Sequence, residues 1–356
     1  MILERYIARH LTAGWLIVFA VLAAIFGLII FIQELDKAEL AYDTLAAARY
    51  TAAVLPGELV NLGPVIALLG SIVGLASLDR SNELTVISAS GFPLRRLLAA
   101  VLAPTLALML VLWGCMEYLT PALKQSAERE RKHLRHGGDT VLPFGGVWST
   151  DGRRYIHLER LSEDNQPGNI SLFEFAPAGE MVRHLRARTA EVGNDRRWRF
   201  LDVREKRLED GILQSRTLAE LSIDNLWAPD ELPNLTLPSE MMRLSVLHSY
   251  TDYLQSIEQP YARQLNTFWQ KLMMPFTVLA MVLLATPLSS GVTVGRDNSF
   301  GFKIGLGALL GIVFYLGAQV IFALGQLFHL PVPLLASLPA MIITGCALTL
   351  FVRMRW

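Results

Sequence analysis

Six long apolar runs limit this chain more than any other feature. A helix needs roughly 20 apolar residues to cross the hydrocarbon layer of a membrane. Six segments reach that length: about 11–33, 54–78, 97–117, 271–290, 304–328 and 332–352. Composition agrees, at 52% hydrophobic and 18% charged, where an ordinary soluble domain carries about 25% charged residues. The opening "MILERYIARHLTAGWLIVFAVLAAIFGLIIFI" begins like a signal peptide. Its uncharged run is too long for one, and no small-residue cleavage site follows promptly, so it reads as a retained first span.

Loop cations orient the spans. Arg5 and Arg9 precede the first; Arg80, Arg95 and Arg96 follow the second; Arg296 and Lys303 follow the fourth; Arg353 and Arg355 end the chain. All four groups fall on one side, which the positive-inside rule makes cytoplasmic, so both termini are expected inside. Lys124, Arg129, Arg131, Lys132 and Arg135 fall on the other side. They open a loop running to about residue 265, and long loops translocate largely regardless of charge.

That loop reads as β structure. "RRYIHLERL", "NISLFEFA", "MVRHLRARTAEV", "RWRFLDVREKRL" and "RTLAELSID" are short segments of mixed alternation, separated by "SEDNQPGN", "APAG" and "GNDRR". Strands so spaced, with turn residues between them, suggest a sandwich or jelly roll. Helical linkers lead in and out. The expected architecture is an α-helical membrane protein with six transmembrane helices and an inserted periplasmic β jelly-roll domain. Spans one to three occupy 1–120, with a cytoplasmic helix at about 81–92. The β domain with its linkers occupies 121–265, and spans four to six occupy 266–356.

The cytoplasmic stretch "LDRSNELTVISASGFPLRRLL" is longer than a bare connection requires. Ser81 or Asn82 offers a helix cap, Leu84, Ile87 and Ala89 give an apolar stripe, Gly91 is a stop and Pro93 lies just beyond. Glu83 in the first turn suits the helix dipole and can meet a basic partner. Such a helix could rest its apolar face on lipid. The small residues of "SASG" suit close approach by another protein instead.

Other chemistries lack their signatures. No G-x-x-x-x-G-K-[ST] phosphate loop occurs, so the chain is not expected to hydrolyse ATP. The seven histidines form no H-x-x-x-H or H-E-x-x-H pattern. Cys115 and Cys346 fall in apolar runs, and zero net charge suggests no nucleic-acid partner. A membrane enzyme acting on lipid would need a nucleophile or metal cluster in 118–265, and a periplasm-facing sensor would need a signalling domain or tail. Neither feature is identified.

"ERYIARHL" at span one, "RSNELTVISASGF" between spans two and three, "GIVFYLGAQ" in span five and the three-plus-three layout together resemble the LptF/LptG permease family of the lipopolysaccharide export ABC transporter, nearer its LptG branch. The resemblance covers essentially the whole chain. It implies a permease subunit paired with the homologous permease LptF and driven by two copies of the ATPase LptB, with LptC packed at a seam and the bridge protein LptA receiving lipopolysaccharide. It implies no cofactor in this chain, since ATP and Mg belong to the ATPase. ATPase-coupling residues would be Glu83, Leu84, Ile87, Ser90, Gly91 and Phe92, with Glu83 in the family's acidic docking position.

Candidate lipopolysaccharide contacts follow from the same resemblance, which points to a cavity lined by spans one, two and five; the residues singled out come from spans one and five. They are Phe26, Ile30, Phe31, Phe314, Tyr315 and Phe322, with Lys303 at the cytoplasmic end of span five. The family often has a basic residue near the outer end of span one to meet lipid phosphates. Ile30 stands there, and Lys37 is the substitute. Glycines 301, 305, 307 and 311 supply small-x-x-x-small spacing for helix contact. The cations of 124–135 could attract lipid phosphates or be balanced within a solvated helix by pairs such as Glu128 to Lys132.

Overall fold

The computed structural model describes residues 2–37, 42–136, 139–141, 147–150, 153–162, 166–176, 180–193, 197–209, 212–224, 238–256, 261–289, 300–328 and 330–353. Arg296 and Arg355, like most of the inter-strand turn clusters, lie outside them. The first helical set is α1 (Ile2–Leu35), α2 (Thr44–Asn61), α3 (Gly63–Arg80), α4 (Glu83–Ala89), α5 (Leu94–Gly114) and α6 (Thr120–His136). The strands are β1 (Asp139–Val141), β2 (Val147–Thr150), β3 (Arg154–Ser162), β4 (Pro167–Phe175), β5 (Met181–Val192), β6 (Trp198–Glu209) and β7 (Ile212–Ile223). The chain closes with α7 (Leu244–Ser256), α8 (Ala262–Ser289), α9 (Phe300–Leu327) and α10 (Val332–Arg353).

Among the described residues six helices are long and apolar enough to span a membrane, and they match the six runs. One boundary differs. The 54–78 run divides at Leu62, where α2 ends and α3 begins with Pro64 in its first turn. Proline lacks an N–H and its ring crowds the preceding turn, so a helix running through this point would lose a bond and gain a clash. A similar cause acts at Pro121, which cannot donate to Glu117 O. The backbone there widens into a π turn (Cys115–Leu119) between α5 and α6.

α3 and α8 form the centre of the bundle, with 67% and 61% of their spanning windows buried, against 6% for α1 and 11% for α9. α1 and α9 both pack on α3. The α1–α3 approach is the tightest: a Cβ built on Gly74 would lie 2.5 Å from His10 O, and one on Gly70 2.6 Å from Trp15 Cα. Among the span-five glycines, Gly307 and Gly311 face α3, whereas Gly301 and Gly305 face open space. Trp15 Nε1 donates to Ser71 Oγ at 2.9 Å, so the α1–α3 seam also satisfies its buried indole.

The β domain is inserted between the third and fourth spans, as expected. Its described strands form one antiparallel sheet in the order β1-β3-β4-β5-β6-β7, with β2 also on β3. No Greek-key crossing occurs among them. The sheet instead coils: Arg154 at the start of β3 donates to Asp224 O just past β7, at 3.2 Å. Its inner face encloses Ile156, Leu158, Ile170, Leu172, Leu185, Trp198, Phe200 and Val203.

The mixed alternation noticed in the sequence has a structural cause. Asn169 and Asp202 adopt φ of 50° and 52°, a left-handed conformation that short polar residues tolerate. They align with Arg188 between the paired rows on either side. Across that line burial changes phase, from Trp198 and Phe200 to Val203 and Glu205 in β6, and from Leu185 and Ala187 to Ala190 in β5. The line is a crease across the sheet, and it bends the strands around their core.

Linkers fix the domain to the bundle. Glu117 accepts from Ser245 N at 3.2 Å and from Ser245 Oγ. Gln125 Nε2 donates to Met241 O at 2.9 Å, while Lys271 Nζ donates to Glu240 O and Met242 O at 2.9 and 2.7 Å.

Candidate functional site

α4 lies at the end of the bundle opposite the β domain, between α3 and α5. Asn82 turns the chain at φ 59°, and Gly91 ends the helix at φ 77°, where the left-handed backbone favours glycine. Ser81 does not cap α4. Its hydroxyl lies 3.1 Å from Leu78 O in the last turn of α3 and 2.9 Å from Glu83 Oε1.

Glu83 is therefore held rather than loose. The Tyr6 hydroxyl and then the Ser81 hydroxyl donate to it, and with His10 nearby they hold its carboxyl below the ordinary value. It is ionised at neutral pH.

The six coupling candidates divide between core and surface. Leu84 and Ile87 are buried, at 4% and 6% exposure. Leu84 joins the cluster of Ile7, Leu11, Trp15, Leu75, Leu78, Leu97 and Val101, with Phe92 packed against it. Ser90 Oγ donates to Ile87 O at 2.7 Å. The outward ridge is Val86, Ala89, Ser90 and Gly91, with Val86 66% exposed. Val86 lies off the apolar stripe Leu84, Ile87, Ala89, so the stripe's periodicity does not single it out. Its position one turn before Ser90 was the available signal.

The lipopolysaccharide candidates are not gathered into one pocket. Phe31 packs with Tyr42, Ala46 and Ala47 at the β-domain end. Phe314 packs against the α8–α10 cluster. Phe26, Ile30 and Phe322 are half-buried, and Tyr315 is exposed. Lys37 Nζ lies 2.7 Å from Glu34 Oε1, and this buried carboxylate also accepts from Tyr42 at 3.1 Å and Arg131 at 3.2 Å. Arg131 reaches Glu128 at 2.7 Å and covers the Tyr50 ring at 4.7 Å. The linker cations are thus partly matched by acids, with Glu128 on Arg131; the Lys132 side chain lies outside the described residues.

Lys303 is at the opposite end from the lipid-phosphate position, beside α4. It is 6% exposed, and its Nζ lies 2.5 Å from Asp79 Oδ2 and 2.7 Å from Ser289 O. Its partners are all within the chain: it fastens α3, α8 and α9 together. Next to it Arg80 covers the Phe300 ring at 5.9 Å.

In the β domain, Glu205 is 1% exposed and accepts from Arg183 Nε and Arg216 Nε, each at 2.6 Å. Burial raises its carboxyl, but the two guanidiniums outweigh burial and hold it below the ordinary value. It borders a cleft of about 460 Å³ lined also by Glu174, Phe175, Val182, Leu218 and Leu221. Among the described residues no group of three or more His, Cys, Asp or Glu is placed to hold a metal.

The sequence is similar to known proteins along nearly its whole length. A sequence model of the family described as "Lipopolysaccharide export system permease LptF/LptG" matches residues 5–353. The protein from Escherichia coli (strain K12) described as "Lipopolysaccharide export system permease protein LptG" is 29% identical over 343 residues, 95% of this chain and 94% of that one. The LptG protein of Haemophilus influenzae is 25% identical over 360 residues, 99% of this chain and 97% of its own. Six spans, an inserted antiparallel β domain and a match from residue 5 to residue 353 place this chain in the LptF/LptG family of lipopolysaccharide export system permeases.

Proposed function

We propose that this multi-pass inner-membrane permease receives mechanical work from a separate ATPase through the exposed ridge of α4. One observation carries this reading: Leu84 and Ile87 are sunk in the bundle while Val86, Ala89 and Ser90 project from it. A helix fixed only to lipid would turn its apolar side chains outward. This one is rooted in α1, α3 and α5, so a push on its ridge moves those helices together.

The cations at the α4 end, among them Arg5, Arg9, Arg80, Arg95, Arg96 and Arg353, favour placing that end in the cytoplasm. The β domain is then periplasmic. The chain contains no phosphate loop, so ATP and Mg are assigned to the partner, LptB in two copies. The two least-buried spans, α1 and α9, flank α3 with apolar faces. A second permease, LptF, would close a cavity against these faces, with LptC at one seam. Phe26, Ile30, Tyr315 and Phe322 are the side chains of the proposed lipid set that remain on or near those faces.

The work demanded is large. Moving acyl chains from bilayer to water costs about 0.8 kcal/mol per CH₂, and the β domain with its receiving bridge LptA would shorten that exposure.

The test is Glu83→Arg in the full chain. Membrane insertion is expected to be unchanged, while co-purification of the ATPase and lipopolysaccharide export are lost. Normal ATPase retention and export would overturn the reading.

A further inference from the structure

The outer face of the β sheet, turned away from the buried core, carries two adjacent rows that no role above uses. Strand register places Trp148, His157, Ser171, Arg186, Arg204 and Thr217 across one row. Tyr155, Phe173, His184, Lys206 and Ser215 cross the next. At one end the rings are stacked. Trp148 and His157 have centroids 4.5 Å apart, and Phe173 and His184 are 4.6 Å apart at 11° between planes.

Rings stacked in this way spend their negative faces on one another and turn their positive edges outward. At the other end stand Arg186, Arg204 and Lys206, all exposed and, among the described residues, in no ion pair. Neither row contains a carboxylate. The Arg188–Asp202 pair, 3.6 Å apart, lies on the crease that borders the rows. The nearby cations help to hold the His184 imidazole below its ordinary value, behind burial as the first cause, so the face is sensed as positive.

We propose that this face binds the phosphorylated saccharide head of lipopolysaccharide, with Arg186, Arg204 and Lys206 taking the phosphates and the Trp148–His157 and Phe173–His184 edges bordering the sugars. Charge selects the occupant. Guanidinium groups pair with phosphate in two parallel hydrogen bonds, and the surface otherwise presents donors and positive ring edges. The proposal rests on the family's cargo, which carries such a head group through the side of the membrane where the β domain stands. It is separate from any acyl-chain site in the spans.

The experiment uses the full chain in lipid nanodiscs. The probes are lipopolysaccharide saccharide freed of all acyl chains with its phosphates retained, the same saccharide without phosphates, and an acidic peptide of equal charge. The phosphorylated saccharide should bind at least tenfold more tightly than either of the others. The triple change Arg186→Glu, Arg204→Glu and Lys206→Glu, confined to exposed positions, should weaken it at least tenfold without changing the melting temperature. Equal binding by the triple variant, no binding of the phosphorylated saccharide by the unchanged chain, or preference for the peptide would each overturn the proposal. Co-purification of intact lipopolysaccharide with the triple variant, scored in parallel, distinguishes loss of this face from failure of the export reading itself.

Discussion

Lys303 and Asp79 meet at 2.5 Å across 224 positions of chain, and Ser289 O lies 2.7 Å from the same ammonium. The pair joins the end of the helix preceding α4 to the start of α9, beside the ridge assigned to the ATPase. At 6% exposure Lys303 has little access to water, and the Asp79 carboxylate and the Ser289 carbonyl accept the hydrogen bonds that water would otherwise take.

Lys303→Met should therefore lower stability by about 2–4 kcal/mol, because it strands the Asp79 carboxylate and the Ser289 carbonyl. The side chain of Asp79 is 25% exposed, which keeps the cost below that of a fully buried charge. Adding Asp79→Leu should recover part of the loss, since removing both charges removes the mismatch. Thermal unfolding of the purified chain reads both effects. A Lys303→Met protein as stable as the parent would refute the clamp.

Gly74→Ala should separate α1 from α3. The added Cβ would meet His10 O at 2.5 Å, and backbone cannot yield as a flexible side-chain end can. Overpacking of this kind costs about 1–3 kcal/mol. Gly305→Ala, which meets nothing within 4 Å, serves as the control and should be neutral or slightly stabilising. Equal melting temperatures for the two variants would show that the α1–α3 seam is looser than described.

On α4, Leu84 and Val86 should respond oppositely to the same change. Leu84→Asp places a charge in the cluster of Ile7, Leu11 and Leu97 and should prevent accumulation of folded protein. Val86→Asp alters a side chain that is 66% exposed, so stability should stay within about 0.5 kcal/mol. The ATPase should nevertheless be lost from the purified complex. Retention of the ATPase by Val86→Asp would remove the ridge from the mechanism.

Local pattern carried much of this fold. The apolar runs became the six spans because a membrane leaves a long apolar segment few alternatives to helix. All five quoted strand segments lie in strands β3 to β7. The failures share a physical origin in distance along the chain. Hydropathy averaged over Leu62 and merged α2 with α3; Pro64 falls at the break, but Pro56 of the same run sits inside α2, so proline chemistry alone does not locate it. Leu84 and Ile87 form an apolar stripe in the sequence, and periodicity identifies such a face without saying what covers it; in the fold this chain's own bundle does. The Lys303–Asp79 pair depends on helix packing that local sequence does not encode. The Gly70–Gly74 spacing in "GSIVG" is the same as that of the α9 glycines, and spacing alone does not rank them: Gly70 and Gly74 meet α1 backbone, whereas only Gly307 and Gly311 of the α9 set approach α3.

Glu205 gives the β domain an acid-sensitive lock, and the sign follows from its partners. Burial alone would raise its carboxyl, but Arg216 and Arg183 lower it further than burial raises it, so the folded value lies beneath the ordinary 4.5. The folded state then binds fewer protons than the unfolded state in the window below 4.5. Its stabilising effect is fully present above that window and is lost as pH falls through it. Glu205→Gln keeps the shape but leaves two guanidiniums without a counter-charge. It should cost about 1–3 kcal/mol at pH 7, toward the lower end because Arg216 is 57% exposed and partly screened. The gap between the two proteins should narrow as pH falls through and below the ordinary 4.5, where the unfolded chain takes up the proton before the folded one does. Near-ultraviolet circular dichroism of the full chain, taken as the difference from a Trp198→Phe protein, isolates the signal of Trp198 in the adjoining core from the other six tryptophans and so reports this domain's unfolding. Melting curves for parent and variant that stay parallel across that range would mean that Glu205 titrates as an ordinary surface carboxylate.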